Sequence, residues 1–309
     1  MCIYIGGQSQ YIYMGLDSRR MKNMRNKPYT IAEACCNHMG DFQIALKMIS
    51  VAAECNVSAI KFQKRNPKEC LSKQQYNAPH PCPKNSFGNT YGLHREYLEF
   101  SIDQHKLLQI ECKNQGIDYS ASVWDLTSAK EIASLEPIYI KIPSAANLNT
   151  KMLEWLCQYY RGEIQISLGM TTRLEEKNIY DLFCSYGREK DLVFLSCTSG
   201  YPTSNEDVCL MEIVRLKELY GEHIKGIGFS GHQLSRNVDI AAFMLGADYI
   251  ERHFTLNRSW KGTDQAASLI AEDFLFLDEA FSDITSALKY KESELLPIEL
   301  EQRKKLKAN

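Results

Sequence analysis

The chain has 309 residues, 44% hydrophobic and 24% charged, with a formal net charge of −2. That length can bury one large core, and it falls at the upper end for a single domain. The near-neutral charge gives no electrostatic case for nucleic acid. No apolar run of about 18 residues is present to span a membrane, and residues 1–27 lack the basic and apolar regions of a signal peptide. A cytoplasmic protein with neither nucleic-acid nor membrane partners is expected. The eleven cysteines are scattered, odd in number and mostly inside apolar segments, as at Cys55, Cys112, Cys157 and Cys197, which is the pattern of reduced thiols. No CxxC pair occurs, and the adjacent Cys35 and Cys36 read as buried residues near a site rather than a redox pair.

Residues 1–27 place Tyr4, Tyr11 and Tyr13 around Gly6-Gly7, followed by Arg19-Arg20-Met21-Lys22. A short hairpin-like extension outside the core, over the barrel bottom, is expected there. From Tyr29 onward, short β-branched or aromatic runs recur, each followed by a polar turn and a helical pattern. There are eight, at 29–33, 58–63, 118–122, 138–142, 163–167, 192–196, 227–232 and 249–254. Strands alternating with helices imply parallel βαβ units, and eight of them imply a closed α/β fold, the (β/α)₈ TIM barrel. A doubly wound open sheet is the alternative, but no GxGxxG follows the first run. The expected organisation is an extension over 1–27, a catalytic barrel over 28–292 and a basic, solvated tail over 293–309.

Between the second and third runs, residues 64–100 form an insertion rich in Pro, Asn and His, long enough to act as a lid at the barrel mouth. Within it His80, Asn85, Asn89 and Arg95 are candidates for sugar contacts, each equally readable as a turn or cap residue. Residues 91–96 should start the helix leading out, and Ser101 should cap another. Phe274, Leu277, Phe281, Ile284 and Leu288 have the spacing of a final barrel helix over 272–290.

The last two runs carry the strongest signal. Each ends in a histidine, His232 and His253, and the run Val238–Leu245 between them reads as a helix stopped by Gly246. A parallel crossover sets the C-terminal ends of consecutive strands side by side, so the two imidazoles converge at one edge. A lone histidine after a strand is more often a hydrogen-bonded structural residue than a ligand. A converging pair makes half of a metal site, over which Asp264 can lean from the following loop. At or just past the ends of the other runs stand Glu33, Lys61, Gln63, Ser122, Lys141, Ser144, Ser167, Ser199, Tyr201 and Ser230. In a barrel these ends form the active-site face. Two lysines with several hydroxyls suit a substrate carrying phosphate and carboxylate. The competing reading for Lys141, in Tyr-Ile-Lys-Ile, is an imine-forming lysine of the aldolase type.

The motifs Ile31-Ala32-Glu33 with Asn37-His38-Met39-Gly40, Ile60-Lys61-Phe62-Gln63, Lys141-Ile142-Pro143-Ser144, Leu168-Gly169-Met170, Cys197-Thr198-Ser199-Gly200-Tyr201-Pro202, Phe229-Ser230-Gly231-His232 and Arg252-His253-Phe254-Thr255-Leu256 run in one collinear order over about residues 29–270. Together they resemble the N-acetylneuraminate (sialic acid) synthases, in a single-domain form without the C-terminal antifreeze-like domain. The resemblance implies an enzyme that condenses phosphoenolpyruvate with an aldose, N-acetylmannosamine or a relative such as mannose. The products would be a 3-deoxy-ulosonic acid and phosphate. It implies a homodimer and a divalent metal held by His232 and His253, Mn²⁺ first, with Mg²⁺ or Co²⁺ as alternatives. By the same resemblance Lys61, Ser122, Lys141, Ser144, Ser167, Ser199 and Ser230 bind phosphoenolpyruvate, and Glu33, Gln63, Tyr201 and Asp264 surround the sugar and the reacting carbons. Ala146, Ser199 and Gly231 depart from that family's usual Glu, Asn and Asp, which bears on the sugar more than on the reaction. A metal-dependent aldolase or sugar isomerase on the same barrel, and a catalytically silent binding barrel, are the competing readings.

Overall fold

The structure is a computed structural model that describes residues 27–307. Eight parallel strands close on themselves in sequence order. They are β1 (Tyr29–Cys35), β2 (Ala59–Lys64), β3 (Asp118–Val123), β4 (Tyr139–Ile142), β5 (Glu163–Ser167), β6 (Leu192–Cys197), β7 (Gly226–Gly231) and β8 (Tyr249–His253). Closure excludes the open doubly wound sheet. Each strand lies within two residues of its expected position at either end, and His232 stands one residue beyond β7.

The helices are α1 (Phe42–Glu54), α2 (Pro67–Cys70), α3 (Lys73–Asn77), α4 (Tyr91–Leu98), α5 (Ile102–Gln115), α6 (Leu126–Ala133), α7 (Thr150–Tyr159), α8 (Arg173–Ser185), α9 (Met211–Tyr220), α10 (Asn237–Met244), α11 (Ala271–Ala287) and α12 (Pro297–Leu306). Their starts follow ordinary capping chemistry. Ser101 and Thr172 complete capping boxes with Gln104 and Glu175, and Asp41 accepts from the backbone amides of Gln43 and Ile44. Helix α10 runs into Gly246, whose φ of +97° is the left-handed stop expected of glycine there.

Strand alternation gives the barrel an apolar outer face that packs against the helices. Ile60, Phe62, Phe194 and Phe229 are buried, as are Leu108, Leu156, Phe183 and Phe274 of the surrounding helices. Burying each such side chain contributes about 1.5–3 kcal/mol. The N-terminal end of the barrel is plugged by Ile31, Ala59 and Tyr139, with Tyr29 and Tyr249 packed against them. The Tyr29 hydroxyl donates to Asp118 at 2.6 Å and that of Tyr249 to Glu163 at 3.0 Å, whereas the Tyr139 hydroxyl is buried without a hydrogen-bond partner. The opposite end is left for polar side chains.

The expectation for the insertion is revised. The insertion is no plain loop: α2, α3, a 3₁₀ turn at Pro83–Asn85 and α4 fill it. Asn66, Ser72 and Thr90 cap α2, α3 and α4 with their side chains, which is why these short helices form. The tail contains α12, which has no buried residue. Residues 28–281 form one compact unit, and 282–307 lie outside it. The expected hairpin near Gly6-Gly7 falls outside the described residues.

Candidate active site

The register of the barrel brings the polar residues together. Glu33 on β1 is paired with Lys61 on β2 and with His253 on β8. Further round, Gln63 pairs with Ser122, Ser122 with Lys141, Cys197 with Ser230, and Ser230 with Glu251. All thirteen residues singled out from the sequence line one cavity of about 340 Å³ at the C-terminal end of the strands. That volume is in the range of small-molecule sites.

The floor is ionic. Lys61 is 1% exposed; its ammonium pairs with Glu33 and donates to Ser122 Oγ at 2.7 Å. Lys141 lies 2.8 Å from each carboxylate oxygen of Glu251, which also approaches Lys61 at 3.6 Å and accepts from Ser230 Oγ at 2.9 Å. Burial pushes the Lys61 ammonium down to about 7, against the Glu251 charge. Burial raises the Glu251 carboxyl, but the Lys141 and Lys61 charges together outweigh it and hold the group well below the usual carboxylate range. Lys141 is thus bound as an ion pair with Glu251.

One wall is built from hydroxyls. Ser144 Oγ accepts the Gly169 amide at 3.1 Å, and Ser199 Oγ is buried without a hydrogen-bond partner. A Cβ on Gly169 would lie 2.3 Å from Ser199 Oγ and 2.7 Å from Ser144 Oγ. The glycine therefore lets two serine side chains converge where a larger residue would displace them. Ser167, at the end of β5, is buried beside them.

The facing wall is built from imidazoles. His232 and His253 have ring centroids 5.3 Å apart, and Tyr201 covers them at 4.4 and 6.0 Å. Burial lowers the pKa of both histidines, that of His232 to about 3, so each is a neutral ring with a lone pair. His232 Nδ1 lies 3.1 Å from the Thr198 carbonyl, whereas His253 Nδ1 is buried with no hydrogen-bond partner. Burial raises the Asp264 carboxyl, but the neighbouring His253 imidazole and the Cys35 thiol outweigh it, leaving it below its ordinary value. Ligand atoms of Cys35, His253 and Asp264 all lie within 4.8 Å of one another. Neutral imidazole, carboxylate and thiol within that span fit a divalent metal ion, and the unpartnered His253 nitrogen fits it too.

Several elements hold this wall. Asn37 Nδ2 donates to the Phe254 carbonyl at 2.7 Å and to Ser268 Oγ at 2.9 Å, and Ser268 Oγ donates to the Asp264 carbonyl at 2.7 Å. Asn37 in this way ties the end of β1 to the segment carrying Asp264. His38 stacks on Phe100 at 4.3 Å, away from the cavity.

Of the four residues named in the insertion, Arg95 alone lines the cavity. His80 instead packs on His94 at 4.4 Å inside the insertion, and Asn85 ends the 3₁₀ turn. Among the lining residues that went unrecognised in the sequence are Glu251, Arg65 and Trp124. Glu251 is two residues before His253, so period-2 alternation already placed it on the inner face. Arg65 pairs with Glu99 at 3.1 Å and lies 4.2 Å over the Trp124 ring, a contact with no local signature.

Fold and site together define a barrel enzyme whose floor pairs two lysines with two glutamates, beside a wall suited to a metal. The NeuB family profile matches residues 48–293. The N-acetylneuraminate-9-phosphate synthase of Homo sapiens is 34% identical over 278 residues, covering 90% of this chain and 76% of its own. The N,N'-diacetyllegionaminic acid synthase of Campylobacter jejuni is 29% identical over 263 residues, covering 85% and 78%. The crystal structure of N-acetylneuraminic acid (sialic acid) synthetase from Leptospira borgpetersenii in complex with citrate superposes with a TM-score of 0.75. It is 26% identical and covers 91% of this chain and 93% of its own. The chain belongs to the NeuB family.

Proposed function

We propose that the protein condenses phosphoenolpyruvate with an aldose, N-acetylmannosamine or a related sugar, giving a sialic-acid-like 3-deoxy-ulosonic acid and phosphate. The observation that carries this reading is the meeting of Lys61 and Lys141 with an arc of serine hydroxyls, directly beside two neutral histidines, in one cavity. Lys61, Lys141, Ser122, Ser144, Ser167, Ser199 and Ser230 hold the phosphate and carboxylate oxygens, the lysines by charge and the hydroxyls by hydrogen bonds. Gln63 and Tyr201 contact the acceptor sugar, with Arg95 at the rim.

His232 and His253 hold a divalent cation, with Mn²⁺ the family expectation and Mg²⁺ or Co²⁺ the alternatives. Bound there, such an ion supplies Lewis-acid polarisation of the acceptor aldehyde. The residues of the chain orient the two substrates so that the enol carbon faces the aldehyde carbon. The enol electron pair forms the carbon–carbon bond, and the aldehyde oxygen takes a proton to become a hydroxyl. Positive charge then develops on the carbon bearing the phosphate. Water adds to that carbon and gives a proton to Glu33 or Asp264. Loss of phosphate with its bonding pair, and of the second water proton, leaves the ketone.

The protein is placed by this reading in the cytoplasm, as a homodimer. Among the described residues no helix is long and apolar enough to cross a membrane. The relatives include synthases named for phosphorylated and unphosphorylated products, so the test must span both kinds of acceptor. Phosphate release from phosphoenolpyruvate is measured with N-acetylmannosamine, mannose, arabinose 5-phosphate and 6-phosphorylated hexoses. Release that depends on one sugar and falls at least about 100-fold in His232→Ala is expected. Release without any acceptor, or turnover that does not consume phosphoenolpyruvate, would sink the reading in favour of an aldolase or isomerase.

A further inference from the structure

We propose that Cys35 is a thiolate ligand of the metal in this site, joining His253 and Asp264, and that the thiolate tunes the site toward soft cations such as Co²⁺ and Zn²⁺ over Mn²⁺ and Mg²⁺. This inference rests on the metal reading above, adds Cys35 and Asp264 to the two histidines as ligands, and revises the choice of ion. Three independent features of the chain converge on it.

The first is placement. Strand β1 breaks register between Glu33 and Cys35, and Cys35 takes a φ of +50°, a conformation unfavourable for a residue with a Cβ. The irregularity turns a cysteine, 3% exposed, into the cavity lined by His253 and Asp264.

The second is the set of contacts. The Cys35 thiol donates to Asp264 Oδ2 at 2.9 Å, while its sulfur accepts from Gln63 Nε2 at 2.9 Å. One proton thus lies between two groups that are both metal donors, and a divalent cation takes its place. The thiol proton goes to solvent, and the sulfur keeps the Gln63 hydrogen bond as an anion. The third is His253, which has a ring nitrogen within 4.8 Å of this pair's donor atoms and an Nδ1 that is buried with no partner. Sulfur, imidazole nitrogen and one carboxylate form a donor set of mixed softness, whereas Mn²⁺ and Mg²⁺ prefer oxygen donors.

The test is spectroscopic and needs no turnover. The full chain is stripped with a chelator and titrated with Co²⁺, then with Zn²⁺ and Mn²⁺ in competition. The wild type is expected to show visible cobalt d–d bands together with an intense near-ultraviolet sulfur-to-cobalt charge-transfer band. In Cys35→Ser and Cys35→Gly the charge-transfer band should vanish while the d–d bands persist, and the preference for Zn²⁺ over Mn²⁺ should fall roughly tenfold or more. Glycine suits the positive φ, so at least one variant should keep the thermal melt of the wild type. Cys36→Ser should retain the band. Wild-type d–d bands without the sulfur band overturn the thiolate and leave the metal reading standing. Loss of the band in Cys36→Ser alone assigns the sulfur to the neighbouring residue and also overturns it. No cobalt spectrum in the wild type overturns both readings together.

Discussion

The ammonium of Lys61 is held by Glu33, Ser122 and Glu251 in a position that burial almost dries, and burial pushes it down to about 7. Its protonated form is the one that attracts an anion. Affinity for phosphoenolpyruvate is therefore full below about pH 7 and falls as the pH rises through that value. The stability contribution of the same group has the opposite sign. An unfolded lysine keeps its proton to about pH 10.4, so between about 7 and 10 the unfolded chain binds more protons, and this term rises with pH. Lys61→Arg keeps the charge throughout. Calorimetric titration with phosphoenolpyruvate from about pH 6 to 9 should show wild-type affinity declining and the variant weaker but nearly flat. Parallel slopes for the two proteins would remove Lys61 as the origin of the pH dependence.

Arg252 shows how elements behind the cavity order its histidine wall. It alternates outward on β8 between Glu251 and His253, is 1% exposed, and pairs with Asp239 on α10. It also donates to the carbonyl of Gln233, the residue after His232. One guanidinium thus links β8, α10 and the segment leaving β7, and so sets the two imidazoles relative to each other. Asp239→Ala leaves that charge buried and unpaired, which should cost about 3–5 kcal/mol in urea unfolding. Adding Arg252→Met should recover most of the stability, because no uncompensated charge remains. Metal affinity should stay reduced, since the Gln233 carbonyl has lost its anchor. Full recovery of metal affinity in the double variant would make the pair a packing feature only.

At the scale of the whole molecule, the barrel is closed by β1–β8 pairing from Tyr29–Tyr249 to Glu33–His253, and its last helix is anchored by Phe281, which packs on Phe243 at 5.2 Å. Residues beyond that anchor bury little: α12 has no buried residue, and Tyr290 and Ile298 are exposed. We propose that the catalytic unit ends with α11. A chain ended after Ala287 should melt within about 2 °C of the full chain and release phosphate at a similar rate. A fall of more than about 5 °C would assign residues 288–309 to the folding unit.

The sequence alone determined the eight strands, their order and which end carries the chemistry. Those depend on local signals: period-2 runs, turn residues between them, and the rule that parallel barrels expose the ends of their strands at one face. It also determined that His232, His253, Lys61 and Lys141 share a mouth, because the histidines end or follow their strands and the lysines alternate to the inner face of theirs. Only the tertiary structure decided which of these residues meet. The stagger with which the sheet closes sets Glu251 between two lysines that are far away in the chain, and brings Cys35 of β1 onto Asp264 beyond β8. Stagger and the register break at Cys35 follow from packing all eight strands at once, so no local stretch of sequence encodes them. The same holds for the insertion, where capping residues were readable one by one, while the choice of Arg95 over His80, Asn85 and Asn89 to line the cavity depended on how the short helices stack.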